Sequence, residues 1–162
     1  MALDRAELQR LIPVLRRYSR GLVGDAAAAD DLVQDCLVLA LDREWQFRGG
    51  RLAPWVFAIL SNIGRSARRA SRRAPSFAPL GEVADGGTDP ALRVTILAAL
   101  QALPEEQRQA LLLTAVEGFS YQEVAEVAGV PVGTIMSRIW RARLALAERL
   151  DGTTIVPLRR AP

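Results

Sequence analysis

The sequence predicts an all-α protein made of two small helical domains joined by a flexible linker. Three observations carry that prediction. Apolar residues recur at helical spacing on both sides of a proline- and glycine-rich stretch, and no β-alternation runs longer than a few residues. The third is length: at about 100–200 residues per domain, 162 residues allow one ordinary domain or two small ones.

The first helical stripe is Leu8, Leu11, Ile12, Leu15, Tyr18 and Leu22. Asp25 can cap a second helix, whose inward stripe is Ala29, Leu32, Val33, Cys36 and Ala40. Its opposite face carries Asp31, Gln34, Asp35 and Val38, acids beside a valine that suit a basic partner helix. A solvated acidic face has the same spacing. Cys36 falls on the inward stripe and reads as a small core residue, not a reactive thiol. After Gly49-Gly50, Pro54 opens a third helix with Val56, Ile59, Leu60, Ile63, Ala67 and Ala70 inward. Asn62, Arg65, Arg69 and Arg72 line a different face, with Arg68 and Arg73 nearby. Such an arginine row repels itself unless a polyanion lies along it, where counterion release favours binding. Phe47, Trp55 and Phe57 beside it either stack on unpaired bases or belong to the core.

From Ala74 to Pro90 the chain has Pro75, Pro79, Pro90, three glycines and the acids Glu82, Asp85 and Asp89 without any period, which reads as a linker. Helical spacing resumes with Leu97 and Leu100, then Leu111, Leu112 and Ala115. Ser120 with Glu123 forms a capping box that starts a helix striped by Tyr121, Val124, Ala125 and Ala128. Gly129 can end it in the left-handed conformation, and Pro131 suits the start of the next. On that next helix Ile135, Ile139, Ala142 and Leu146 share one face, while Thr134, Ser137 and Arg141 point away from it. Arg138 and Arg143 sit on the shoulders, within reach of phosphates while the face residues meet base edges. This is the layout of a helix-turn-helix recognition helix, and equally of a helical hairpin with a solvated basic face.

Composition excludes several classes. All 21 basic residues are arginine, there is no histidine, and Cys36 is the only cysteine. The usual general base and the commonest metal ligand are therefore missing, and one thiol makes neither an internal disulfide nor a thiolate zinc site. No catalytic residue, metal ligand or cofactor is expected. The net charge of +3 is uneven: −2 over 1–47, +7 over 48–73, −3 over 74–92, −3 over 93–131 and +3 over 132–150. Two basic patches in acidic surroundings point to two separate contacts with a polyanion. The apolar run Leu52 to Leu60 is far shorter than the roughly 20 residues of a membrane span. Asp4 and Arg5 stand where a signal peptide has its apolar core, so a soluble cytoplasmic protein without stable membrane insertion is expected.

Two sets of motifs together resemble the extracytoplasmic-function sigma factors of bacterial RNA polymerase. Asp30-Asp31-Leu32-Val33-Gln34-Asp35 and Trp55-Val56-Phe57-Ala58-Ile59-Leu60-Ser61-Asn62 resemble their region two. Leu103-Pro104-Glu105-Glu106-Gln107-Arg108, the stretch from Gly118 to Ala125 and the stretch from Pro131 to Arg143 resemble their region four. The resemblance implies region two over 1–73, a linker over 74–91, region four over 92–150 and a short tail over 151–162. It also implies that Asp31, Leu32, Gln34 and Asp35 dock on core RNA polymerase. Phe47, Arg48, Trp55, Ser61, Asn62, Arg65, Arg68 and Arg69 would hold the melted −10 element, and Thr134, Ser137, Arg138, Arg141 and Arg143 would read the −35 element. An anti-sigma factor is the further partner implied. Met136 stands where the family often has lysine or arginine, and Ser66 where it often has aspartate.

A different class of function, a sigma-like decoy that sequesters an anti-sigma factor, needs the helical surface without the basic faces. A stand-alone helix-turn-helix repressor would leave the acidic face and the N-terminal arginine row unexplained. An enzyme is the weakest reading, since no nucleophile, base and orienting group come together by spacing.

Overall fold

The computed structural model describes residues 2–70 and 89–150, at 68–70 the backbone alone, and all regular structure among these residues is helical. Of the linker expected over 74–91, residues 74–88 lie outside the described residues, as does the tail. Residues 89–91 form the start of a helix and are not linker, because the Asp89 side chain accepts the amide of Ala91 and Pro90 fits the first turn. Asp4 starts α1 (Arg5–Val23) by accepting from the amides of Ala6 and Glu7, and Gly24 ends it at φ 76°. Asp25 caps α2 (Ala26–Asp42) through the amide of Ala28. A 3₁₀ turn over Glu44–Gln46 then leads through Gly49 and Gly50, both at positive φ, into α3 (Leu52–Ala70).

The three helices close around Leu8, Leu15, Tyr18, Leu22, Leu32, Val33, Cys36, Val56, Phe57 and Leu60, all buried. The Tyr18 hydroxyl and Ser61 Oγ pair at 3.0 Å inside this core, and the Cys36 thiol donates to the carbonyl of Val56 at 3.6 Å. Of the inward stripe expected on α3, Ala67 is exposed instead, and the side chain of Ala70 lies outside the described residues.

Asp89 caps α4 (Pro90–Gln101), and α5 (Glu105–Leu111) continues into a π-helical turn over Leu112–Val116. The capping box predicted at Ser120 and Glu123 is complete: each side chain accepts the other residue's amide at the start of α6 (Tyr121–Ala128). Gly129, at φ 67°, turns the chain into α7 (Val132–Arg149), whose Ile135, Ile139 and Ala142 are buried against the preceding helices.

The two units share one continuous hydrophobic core. Phe57 of α3 meets Tyr18 on one side and Phe119 on the other, edge to face, with ring centroids 5.1 Å apart in both pairs. Gly21 lets α1 approach the π-helical turn so closely that a Cβ there would lie 2.9 Å from Leu112 Cδ2. Arg17 grips Glu117 with two bonds of 3.2 and 2.9 Å, and Arg51 pairs with Glu123.

At the centre of the junction the fully buried guanidinium of Arg108 donates to four carbonyls. These are Leu22 at 2.6 Å, Leu100 at 2.7 Å, Gln101 at 3.1 Å and Leu103 at 2.7 Å. Leu22 lies in the last turn of α1 and Leu100 in that of α4, so the cation sits where both helix dipoles are negative.

Candidate nucleic-acid interface

Helices α6 and α7, joined by the tight turn at Gly129, form the helix-turn-helix expected from the spacing. On α7 Ser137 and Arg141 are exposed, while Thr134, Arg138 and Arg143 are half-buried along the shoulders. Ser137 and Arg141 therefore mark the outward side, and Arg138 and Arg143 flank it from opposite shoulders, Arg143 with its Nε buried. Met136, already singled out where the family often has lysine or arginine, lies on that side at 54% exposure, and sequence reasoning missed one further residue there, Trp140 at 66%. Apolar residues on an amphipathic helix read as core, yet the core face was already filled by Ile135, Ile139 and Ala142. That surplus was the available signal.

The second basic surface surrounds the loop between the 3₁₀ turn and α3. Phe47, Arg48, Gly49, Gly50, Arg51, Trp55 and Ala58 line a cleft of about 490 Å³, walled on its far side by Glu123, Glu126 and Val127 of α6. Phe47 is buried, with its ring 5.4 Å from that of half-buried Trp55, so this pair forms a floor and not a free stacking platform. Arg48 and Arg51 are exposed above it, and further along α3 Asn62 is exposed and Arg65 half-buried.

One expectation for this surface is corrected, and one alternative left open by the sequence is decided. Ser61 is buried and its hydroxyl is engaged by Tyr18, so it cannot touch a DNA strand in this form. Phe57, offered as a stacking residue or a core residue, is wholly core, held between two aromatic rings. The side chains of Arg68 and Arg69, with Arg72 and Arg73, lie outside the described residues.

The third surface is the outer face of α2. Asp31, Gln34 and Asp35 are exposed on it as expected, but Leu32 is buried in the core, so it supports the docking face from below without belonging to it. Val38, Leu41 and Trp45 extend the face as exposed apolar positions, Trp45 at 74%. Val38 was visible in the spacing. Trp45 was not, because it lies past the end of the helix in the 3₁₀ turn.

Burial pushes the Cys36 thiol up to about 12, which keeps it protonated and inert at neutral pH. Burial likewise raises Tyr18 above its ordinary value. Among the described residues no group of His, Cys, Asp or Glu side chains is placed to hold a metal ion, and no helix is long and apolar enough to cross a membrane.

The family model for sigma-70 region 4 matches residues 93–146, and that for the sigma2 domain of PhyR matches residues 8–61. The chain is 40% identical over 152 residues to the ECF RNA polymerase sigma factor EcfG of Rhodopseudomonas palustris, covering 90% of this chain and 84% of that protein. It belongs to the extracytoplasmic-function sigma factors of the sigma-70 family. The RNA polymerase sigma factor CarQ of Myxococcus xanthus is 30% identical over 148 residues, covering 87% of this sigma factor and 85% of CarQ. Among solved structures, the sigma factor RpoE in complex with the anti-sigma factor NepR from Bartonella quintana superposes with a TM-score of 0.80 at 32% identity, covering 93% of this chain and 98% of that one. The helix-turn-helix and the acidic face of α2 therefore lie in the two parts of this sigma factor that the family models cover.

Proposed function

We propose that this sigma factor directs core RNA polymerase to specific promoters, reading the −35 element with α7 and holding the melted −10 element with α3 and the loop before it. The observation that carries this reading is the presence, in one chain, of a helix-turn-helix with Ser137 and Arg141 outward and a second basic surface around Arg48, Arg51, Asn62 and Arg65. Thr134, Ser137, Arg138, Arg141 and Arg143 divide the −35 task between base edges and phosphates. At the −10 element each unpaired base costs a few kcal/mol, so the surface needs both a pocket and charge for the backbone. The cleft over Phe47 and Trp55 serves as the pocket, and Arg48, Arg51, Arg65, Arg68 and Arg69 supply the charge.

Asp31, Gln34 and Asp35, extended by Val38, Leu41 and Trp45, form the surface for core polymerase. An acidic rim around an apolar centre steers a basic partner and then anchors it. Residues 1–73 and the stretch from α4 to Leu150 are the two working units, and the residues between Arg73 and Asp89 are the tether that lets them engage DNA sites apart from one another. The sigma factor carries out no covalent chemistry itself and acts with polymerase in the cytoplasm. An anti-sigma factor is the partner expected to hold it out of use.

With Glu123 and Glu126 facing the −10 cleft, the form described here presents carboxylates where a DNA backbone would come. Binding the −10 strand therefore requires α6 to leave α3. Core polymerase, by engaging α2 on one unit and spreading the other along the promoter, supplies the interactions that favour the open form.

The match of residues 8–61 to the sigma2 domain of PhyR favours a second reading, a decoy for an anti-sigma factor. The outward arginines of α7 have no role in such a decoy. Footprinting of the reconstituted holoenzyme separates the two: protection over an upstream element that is lost in Arg141→Ala supports the sigma reading, and no association with core polymerase supports the decoy.

A further inference from the structure

The positions of α7 most open to solvent are not all polar. Met136 and Trp140 are exposed, as are Val132 before them and Leu144 after them. Members of this series stand four residues apart, so each lies one turn beyond the last on neighbouring lines of the helix surface. Packing does not account for them, because Ile135, Ile139 and Ala142 supply the face that meets the rest of the protein. Met136 and Trp140 instead stand next to exposed Ser137 and Arg141. Gly133, one turn earlier, has nothing within 4 Å of where a Cβ would stand, so the N-terminal end of the helix is open to close approach.

On base edges in the major groove the one apolar group is the 5-methyl of thymine, and the remaining groups are hydrogen-bond donors or acceptors. Arginine or lysine at 136 would seek guanine or a phosphate oxygen. Methionine has no donor to offer, and its unbranched thioether chain adapts to a small apolar surface. We propose that Met136, with Trp140 one turn on, selects thymine at one base pair of the upstream element by contact with the 5-methyl group. The proposal rests on the reading of α7 as the −35 helix and adds to it a base preference set by a residue of this chain.

The test uses holoenzyme assembled from core polymerase and the full chain, with a promoter selected from a random duplex pool. Each upstream thymine is then replaced singly by deoxyuridine, which removes only the methyl group. Wild type should lose about three- to fivefold in affinity at one position, the effect of burying one methyl group. Met136→Ala should show that loss already with thymine and be indifferent to uracil there, while Met136→Leu keeps the discrimination. If uracil is tolerated at every upstream position, or Met136→Ala discriminates as well as wild type, the proposal is overturned while an upstream consensus sensitive to Arg141→Ala leaves the −35 reading standing. If no upstream consensus is selected at all, both fall.

Discussion

Glu123 has two partners that belong to different parts of the protein: its carboxylate accepts the amide of Ser120 at 2.9 Å, closing the start of α6, and pairs with Arg51 in the loop ahead of α3. The local capping interaction and the contact between the two units therefore share one side chain. They can be separated by chemistry. Glutamine still completes a capping box but carries no charge for Arg51. Glu123→Gln should leave the thermal midpoint nearly unchanged and widen the solution distance between labels on α3 and α6. It should also raise the affinity of the free protein for single-stranded −10 DNA. A distance distribution and affinity identical to wild type would show that the ion pair does not hold the units together.

Arg108 is the deeper tie. Its four carbonyl partners come from both units, and the bonds to Leu22, Leu100 and Leu103 are buried while that to Gln101 is partly so. Arg108→Met should destabilise the protein by about 3 kcal/mol or more, since each buried carbonyl left without its donor costs about 1–3 kcal/mol. Urea unfolding reads this directly. Arg108→Lys, with a compact ammonium in place of the planar fork, should recover only part of the loss. Equal stability of all three proteins would contradict the assignment.

Charge reversal at Asp31 and Asp35 tests the outer face of α2. Both residues are exposed, so the double variant should fold with an unaltered thermal midpoint and bind core polymerase at least tenfold more weakly, a loss of about 1.4 kcal/mol or more. Undiminished binding would move the docking face elsewhere.

Stability should fall in alkali. Cys36 is raised to about 12 and Tyr18 is raised as well, both by burial, whereas in the unfolded chain they ionise near about 8.5 and 10. The folded values lie above the unfolded ones, so both contributions are whole below the unfolded values and shrink as pH rises through the window above them. With no histidine in the chain, little should change between about pH 6 and 8. A urea midpoint that stays level from about pH 7.5 to 10.5 would contradict this.

Helix starts and stops were legible because their chemistry is local: Asp25, Ser120 with Glu123, and Gly129 each act within four residues. The outward placement of Ser137 and Arg141 followed from helical period alone. The docking of the two units was not legible. Its parts, such as Gly21 against Leu112 and Phe57 against Phe119, are separated by the linker and look ordinary in their own helices. Arg108 was hidden for a related reason, since a charged residue on a short helix reads as solvated until four carbonyls are found around it. Leu32 and Ser61 were carried into the site by their neighbours in a motif, although their own positions on the helix turn them inward.

The central claim is promoter-specific initiation, and run-off transcription with purified core RNA polymerase on sheared DNA from the same organism tests it most directly. The account predicts discrete transcripts that appear only when this protein is added and share paired upstream elements. The absence of both transcripts and association with core polymerase would contradict it and leave a protein that binds an anti-sigma factor instead.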